Sequence, residues 1–206
     1  MNLPNTLTVS RIFLVPLLVV VLLTKFNGRT FLGIPTELVG AAIFGLASLT
    51  DWADGYLARR RKQITAIGQV IDPFADKLLT SAALISLLEL DLVSAWMVTV
   101  IVGRELVVTG LRSLAYARGI AIPASAFGKT KMVAQVVAIL ALILAHADPR
   151  GGMYAFYLIG QAALWVVLVA ALVSGADYFR RFNLLLSPRI ADINVARGQR
   201  SDRKVG

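Results

Sequence analysis

The chain has 206 residues, of which 57% are hydrophobic and 16% charged, and its mean hydropathy is +0.73. A soluble domain carries roughly a quarter charged residues, and the apolar excess here covers the whole length, which excludes a soluble body on a single anchor and favours a polytopic helical membrane protein. The formal net charge of +9 sits between apolar segments, so it reads as positive-inside flanking and contact with anionic lipid instead of a nucleic-acid surface.

A transmembrane barrel would need short alternating segments, and the apolar runs are long. There is no cysteine, so neither a disulfide frame nor a thiolate metal site is possible. His146 is the one histidine. Any metal must therefore be held by oxygen, which favours Mg²⁺ or Mn²⁺ over zinc.

Six apolar segments follow in order, at approximately 8–24, 33–58, 72–89, 93–117, 130–147 and 153–179. Each is near the roughly 20 residues that cross a bilayer. The fold class expected is all-α, with six transmembrane helices. The first segment follows Arg11 but ends in Lys25 and Phe26 without a small-residue cleavage site, so it is expected to be retained. Ahead of it, Asn5, Thr6 and Thr8 are candidate helix caps.

Basic residues set the orientation. With the N-terminus inside, the inner side receives Arg59, Arg60, Arg61, Lys62, Lys77, Arg112, Arg118, Lys129, Lys131 and the C-terminal group. The outer loops hold Lys25, Arg29 and Arg150, with Glu89, Asp91 and Asp148 among them. Both termini are thus expected in the cytoplasm. Residues 1–187 form the expected membrane domain, and 188–206 a flexible basic tail at the inner leaflet.

Chemistry concentrates where the second segment ends and the third begins. Asp51 and Asp54 share a helix face at a spacing of three, and Asp72 and Asp76 do so at four. A loop of about a dozen residues is expected to fold one pair back onto the other. Four carboxylates gathered in a bilayer repel one another and lose hydration. Divalent cations resolve both problems and could polarise a phosphoryl oxygen. Gly55 and Gly68 would let an anionic ligand approach the backbone, and Arg59 stands one turn beyond Gly55 to meet a phosphate. Taken singly, such aspartates could equally cap a helix or line a cation path.

From Asp51 to Asp76 the chain meets the pattern D-x2-D-G-x2-A-R-x8-G-x3-D-x3-D at every fixed position. That run resembles the signature of the CDP-alcohol phosphatidyltransferases, and the likeness extends over nearly the whole length. The resemblance implies that Asp51, Asp54 and Asp72 bind a pair of metal ions. Asp76 would lie at the same metal site and act as general base. Gly55, Ala58, Arg59 and Gly68 would line a CDP pocket, with Asn5 and Thr8 beside it. CDP-diacylglycerol would be the donor, membrane lipid the surroundings and a homodimer the assembly. The absence of targeting features agrees with a multi-pass protein of a bacterial inner membrane whose active site faces the cytoplasm.

Three further stretches concern the acceptor. Asn2 to Arg11, Gly103-Arg104-Glu105-Leu106 with Val108 to Arg112, and Gly128-Lys129-Thr130-Lys131 with Gln135 are similar to elements of the phosphatidylglycerophosphate synthases within that family. Met132 departs from the usual threonine of the third. The resemblance favours glycerol 3-phosphate over inositol phosphate, inositol or serine. A phosphorylated acceptor needs cations in a partly buried site. Arg104 and Arg112 lie within about 80° of one another on an ideal helix. Lys129 and Lys131 begin the next helix, and Arg180 or Arg181 ends the sixth. The bland alternative for Lys129, Lys131, Arg180 and Arg181 is membrane flanking. Arg104, inside an apolar segment, needs a partner such as Glu105 or a path to the interface. Trp96 and Trp165 read as interface anchors or packing. A cation transporter remains the rival from another class.

Overall fold

The computed structural model describes the backbone of residues 3–24, 30–31, 33–61, 66–117, 126–147 and 154–186, and the side chains of 13–24, 30, 33–50, 77–113, 131–147 and 154–180. Six α-helices make up the described chain: α1 (Leu3–Leu23), α2 (Thr36–Arg61), α3 (Ala66–Glu89), α4 (Ala95–Ala117), α5 (Ala126–His146) and α6 (Tyr154–Leu186). Between α1 and α2 a hairpin of two two-residue strands, β1 (Thr30–Phe31) and β2 (Ile34–Pro35), pairs Thr30 with Pro35 and Phe31 with Ile34. Gly33 makes its turn at φ +81°, a backbone state that costs glycine no Cβ clash.

One end of the bundle gathers the turn at Asp91; the opposite end gathers the α2–α3 connection. The main helix packings close a ring in the order α1, α2, α5, α6, α4, α3 and back to α1, with α3 also meeting α5 across the middle. The described core lies towards the Asp91 end, where Leu18, Phe44, Leu84, Leu87, Ile101, Leu142 and Leu164 are fully buried. Two close approaches fall at glycines. A Cβ on Gly160 of α6 would lie 2.7 Å from Leu142 Cγ and 3.2 Å from the Leu142 backbone nitrogen of α5, and one on Gly40 would lie 2.5 Å from Leu22 Cδ2. Small residues at such seams let helices approach without a water-driven hydrophobic force.

Termini are set by local backbone chemistry. At the end of α3 Asp91 adopts φ 58°; its N–H donates to Leu88 O at 3.0 Å, and Leu92 N–H donates to Leu87 O at 3.0 Å. This pairing satisfies carbonyls that the helix end would otherwise orphan. Gln161 Nε2 of α6 then donates to Leu92 O at 2.7 Å, tying the turn to the far helix.

Two expectations need correction. The connection between α2 and α3 is not a dozen residues but only 62–65, because α2 runs to Arg61 and α3 already begins at Ala66. Arg180 is not at the end of the sixth helix, which continues through Phe182 and the leucines to Leu186. The reason is common to both: a helix continues as long as its backbone bonds are satisfied, whatever the limits of the apolar run that lies within it. Among the described residues one stretch, Tyr154–Arg180, is 27 residues long and holds an 18-residue window of mean hydropathy 2.2, long and apolar enough to cross a bilayer; shorter apolar stretches occur at Phe13–Leu23, Thr36–Thr50 and Lys131–His146. The tail expected over 188–206 lies outside the described residues.

Candidate active site

Asp51 and Asp54 stand on the second half of α2, and Asp72 and Asp76 on the first half of α3, on either side of the connection 62–65. The two pairs therefore belong to the same end of the bundle. Their side chains, with those of Asn5, Thr8, Gly55, Ala58, Arg59, Gly68 and Lys129, lie outside the described residues. Among the described residues no three possible ligands cluster. The donors that the signature offers are all carboxylates, with no thiol in the chain and His146 at the last residue of α5, towards the opposite end. An all-oxygen set fits a hard divalent ion such as Mg²⁺ or Mn²⁺.

Lys77, the residue after Asp76, opens the described part of the site. Its Nζ lies 2.9 Å from Glu105 Oε2 on α4. Glu105 Oε1 accepts a bond of 2.7 Å from Nη1 of its neighbour Arg104, and a further ion pair from Lys131 Nζ on α5. Arg104 Nη2 donates to Ser174 Oγ on α6 at 2.6 Å, and Ser174 in turn donates to Ala170 O, one turn earlier. One carboxylate thus receives three cations borne on three helices, and a serine adds the fourth helix.

Burial explains why the cluster is bonded so fully. The side chains of Lys131 and Glu105 are 4% and 7% exposed, and that of Arg104 15%. Charges removed from water cost several kcal/mol each unless partners replace the lost hydration. Arg104 Nε is the exception: it is buried without a hydrogen-bond partner among the described residues. A cleft of about 800 Å³ opens beside it between α4 and α6. Arg104 and Arg180 lie in its wall with Val107, Val108 and Phe179. Gly175 lines the same wall beside the Arg104 stem, and a Cβ there would lie 3.4 Å from Arg104 Cγ, about van der Waals contact.

The acceptor residues expected from sequence are therefore distributed unequally. Arg104 and Lys131 meet on Glu105, and Arg104 shares the cleft with Arg180. Arg112 is exposed on the last part of α4, and Lys129 falls in the first turn of α5. Lys77 and Ser174 were not singled out by sequence. Lys77 could have been found as the cation following the last signature aspartate; Ser174, amid Ala and Val in an apolar helix, carries no local signal. Gln135, buried one turn beyond Lys131, belongs to the same stretch of α5.

With this arrangement in view, comparison with known proteins assigns the class. A family model for CDP-alcohol phosphatidyltransferase matches residues 1–174. The chain belongs to the CDP-alcohol phosphatidyltransferase family. Among its relatives, a CDP-diacylglycerol–glycerol-3-phosphate 3-phosphatidyltransferase of Bacillus subtilis is 44% identical over 185 residues, covering 87% of this chain and 94% of the relative. A probable phosphatidylglycerophosphate synthase of Mycobacterium tuberculosis is 39% identical over 184 residues, covering 87% and 81%. A CDP-diacylglycerol–glycerol-3-phosphate 3-phosphatidyltransferase of Rickettsia typhi is 35% identical over 179 residues, covering 87% and 96%.

Proposed function

We propose that this chain transfers the phosphatidyl group of CDP-diacylglycerol to glycerol 3-phosphate, giving phosphatidylglycerol phosphate and CMP. Family membership supports the donor, and the similar proteins support the acceptor by what their names say they use. The observation that carries the reading is Lys77. It follows Asp76 directly on α3, and its ammonium ends on Glu105 in one cluster with Arg104 and Lys131. An array of cations thus begins one residue from the signature carboxylates, as transfer of phosphate chemistry to a phosphorylated alcohol requires.

Asp51, Asp54, Asp72 and Asp76 would hold Mg²⁺ or Mn²⁺, two ions in this reading. When bound, such ions neutralise charge on the pyrophosphate and on the departing oxygen of CMP. Gly55, Ala58, Arg59 and Gly68, with Asn5 and Thr8, form the CDP pocket. Asp76 takes the proton from the C1 hydroxyl of glycerol 3-phosphate. That oxygen forms the new bond to the phosphatidyl phosphorus. The bond from phosphorus to the CMP oxygen breaks, its electron pair leaving with CMP. Arg104, Arg112, Lys129, Lys131 and Arg180 meet the acceptor's phosphate, for which guanidinium donors have the matching planar fork. The unpartnered Nε of Arg104 and the cleft towards Arg180 favour this assignment.

The setting is a bacterial cytoplasmic membrane crossed six times, with residues 1–187 as the catalytic unit, both termini and the site facing the cytoplasm, and a second copy of the chain as partner. Outward-facing apolar side chains support it. Leu158, Ile159, Trp165, Val166, Val169, Leu172 and Val173 of α6 are each about half exposed or more, a stripe that lipid accommodates and water does not. The ring of Trp96 packs at 5.9 Å from that of Trp165, joining α4 to this stripe.

The test is release of CMP from CDP-diacylglycerol by the purified protein in lipid micelles, with a panel of glycerol 3-phosphate, inositol phosphate, inositol and serine. Glycerol 3-phosphate is expected to support turnover and the others not. Release with a different acceptor would replace the acceptor assignment. No release with any of them would leave the aspartates to a cation path.

A further inference from the structure

Glu105 is a carboxylate with 7% of its side chain exposed, placed among cations that a phosphate would otherwise have to itself. Its two oxygens are fully engaged. Oε2 meets Lys77 of α3; Oε1 meets both Arg104 of its own helix and Lys131 of α5. Without an anion among them, two ammonium groups and a guanidinium would repel one another in surroundings of low dielectric, and each long side chain would turn towards water. Their positions would then be lost, together with the ordering already achieved before a ligand arrives. Arg104 is held at both ends of its fork, by Glu105 and by Ser174, while its Nε is buried without a partner among the described residues.

We propose that Glu105 is the positioning residue of the acceptor site: its carboxylate ties Lys77, Arg104 and Lys131 into one fixed array, so the acceptor's phosphate meets cations already assembled. This rests on the reading of that site as one for glycerol 3-phosphate. Glu105 neither touches the reacting atoms nor transfers a proton; it acts through the three cations. The alternative is that it only fastens α3, α4 and α5 together. The two roles separate in kinetics, because fastening governs how much enzyme is folded and positioning governs how tightly one substrate is held.

The experiment measures kcat and both KM values of the full-length protein in micelles for the wild type, Glu105→Gln and Glu105→Asp, together with inhibition by inorganic phosphate. In Glu105→Gln the KM for glycerol 3-phosphate is expected to rise about tenfold or more, with the KM for CDP-diacylglycerol within about twofold. The inhibition constant of inorganic phosphate against glycerol 3-phosphate should rise in parallel. Glu105→Asp keeps the charge but shortens its reach, so it is expected to raise the same KM by about threefold and to retain most of the kcat. Should Glu105→Gln fail to fold, Glu105→Asp carries the test alone. Unchanged KM for glycerol 3-phosphate in whichever variants fold, or equal rises for both substrates, overturns the positioning role while leaving the activity assignment in place. A wild type that ignores glycerol 3-phosphate overturns both.

Discussion

The two ends of the bundle join the same helices by opposite means. Towards the Asp91 end, α5 and α6 meet over Leu142 and Gly160, and Leu84, Leu87 and Ile101 fill the space between α3 and α4. Further along, α3, α4, α5 and α6 meet through Lys77, Arg104, Glu105, Lys131 and Ser174. In lipid the first kind of seam is stabilised by close packing and asks nothing of solvent. The second kind removes charges from water and must restore each lost hydrogen bond. A bundle that needed only cohesion would extend the apolar seam. The polar one joins the same helices at a desolvation cost that cohesion alone does not ask for.

The sharpest way to break this contrast is to disable one end and leave the other intact. Asp76→Asn is expected to lower turnover by about a thousandfold or more, since a general base contributes on the order of 10² to 10⁴ and this one also lies among the proposed metal ligands. Binding of CDP-diacylglycerol should remain measurable, and thermal stability should change little. Substantial activity in that variant would remove Asp76 from the role of base. Gly160→Ala is the converse. Its Cβ would press on Leu142 Cγ and on the Leu142 backbone nitrogen, neither of which is a free side-chain tip. A loss of about 1–3 kcal/mol is expected, seen as a lower unfolding midpoint in detergent, with the KM for both substrates unaltered. A change in KM without a change in stability would show that the two ends are coupled.

Ser174→Ala sharpens the contrast within the polar end. It removes the bond from Arg104 Nη2 to the serine, next to Nε, which is buried and already has no partner among the described residues. A rise of about fivefold in the KM for glycerol 3-phosphate is expected, corresponding to about 1 kcal/mol. An unchanged KM would mean that Glu105 alone holds the guanidinium.

How far each end could be read from sequence differs for the same reason. The six helices were legible because an apolar run is a local property, and the signature because its spacing lies within 26 residues, from Asp51 to Asp76. Helix limits were less so: Ala66 to Ile71 and Phe182 to Leu186 add turns beyond the expected segments, because helix continuation depends on backbone bonding as well as on apolarity. Glu105 could be seen as a partner for Arg104, its immediate neighbour. Its bond to Lys131 spans 26 positions and that of Arg104 to Ser174 spans 70, and only the packing of separate helices creates them. The expectation that Arg104 and Arg112 share a face used an ideal helix alone. Nothing in the structure contradicts it, but an ideal helix does not tell that Arg104 packs half-buried against α6 while Arg112 stays exposed.

The smallest effect expected is at the Asp91 turn, and it tests whether the apolar end is as free of function as its chemistry suggests. Asp91 holds φ at 58°, where a Cβ crowds the backbone carbonyl, while its N–H and that of Leu92 close the end of α3 on Leu88 and Leu87. Glycine adopts this geometry without the crowding but brings more freedom to the unfolded chain, so the two effects partly offset one another. Asp91→Gly should therefore stabilise by about 0.5–1 kcal/mol, raising the unfolding midpoint by about 1–4 °C in a chain of this size. Both KM values and kcat should match the wild type, because the turn lies beyond the end of α3, roughly 20 Å along the chain axis from Lys77. A lower midpoint would mean that the aspartate carboxylate contributes more to the turn than its backbone conformation costs.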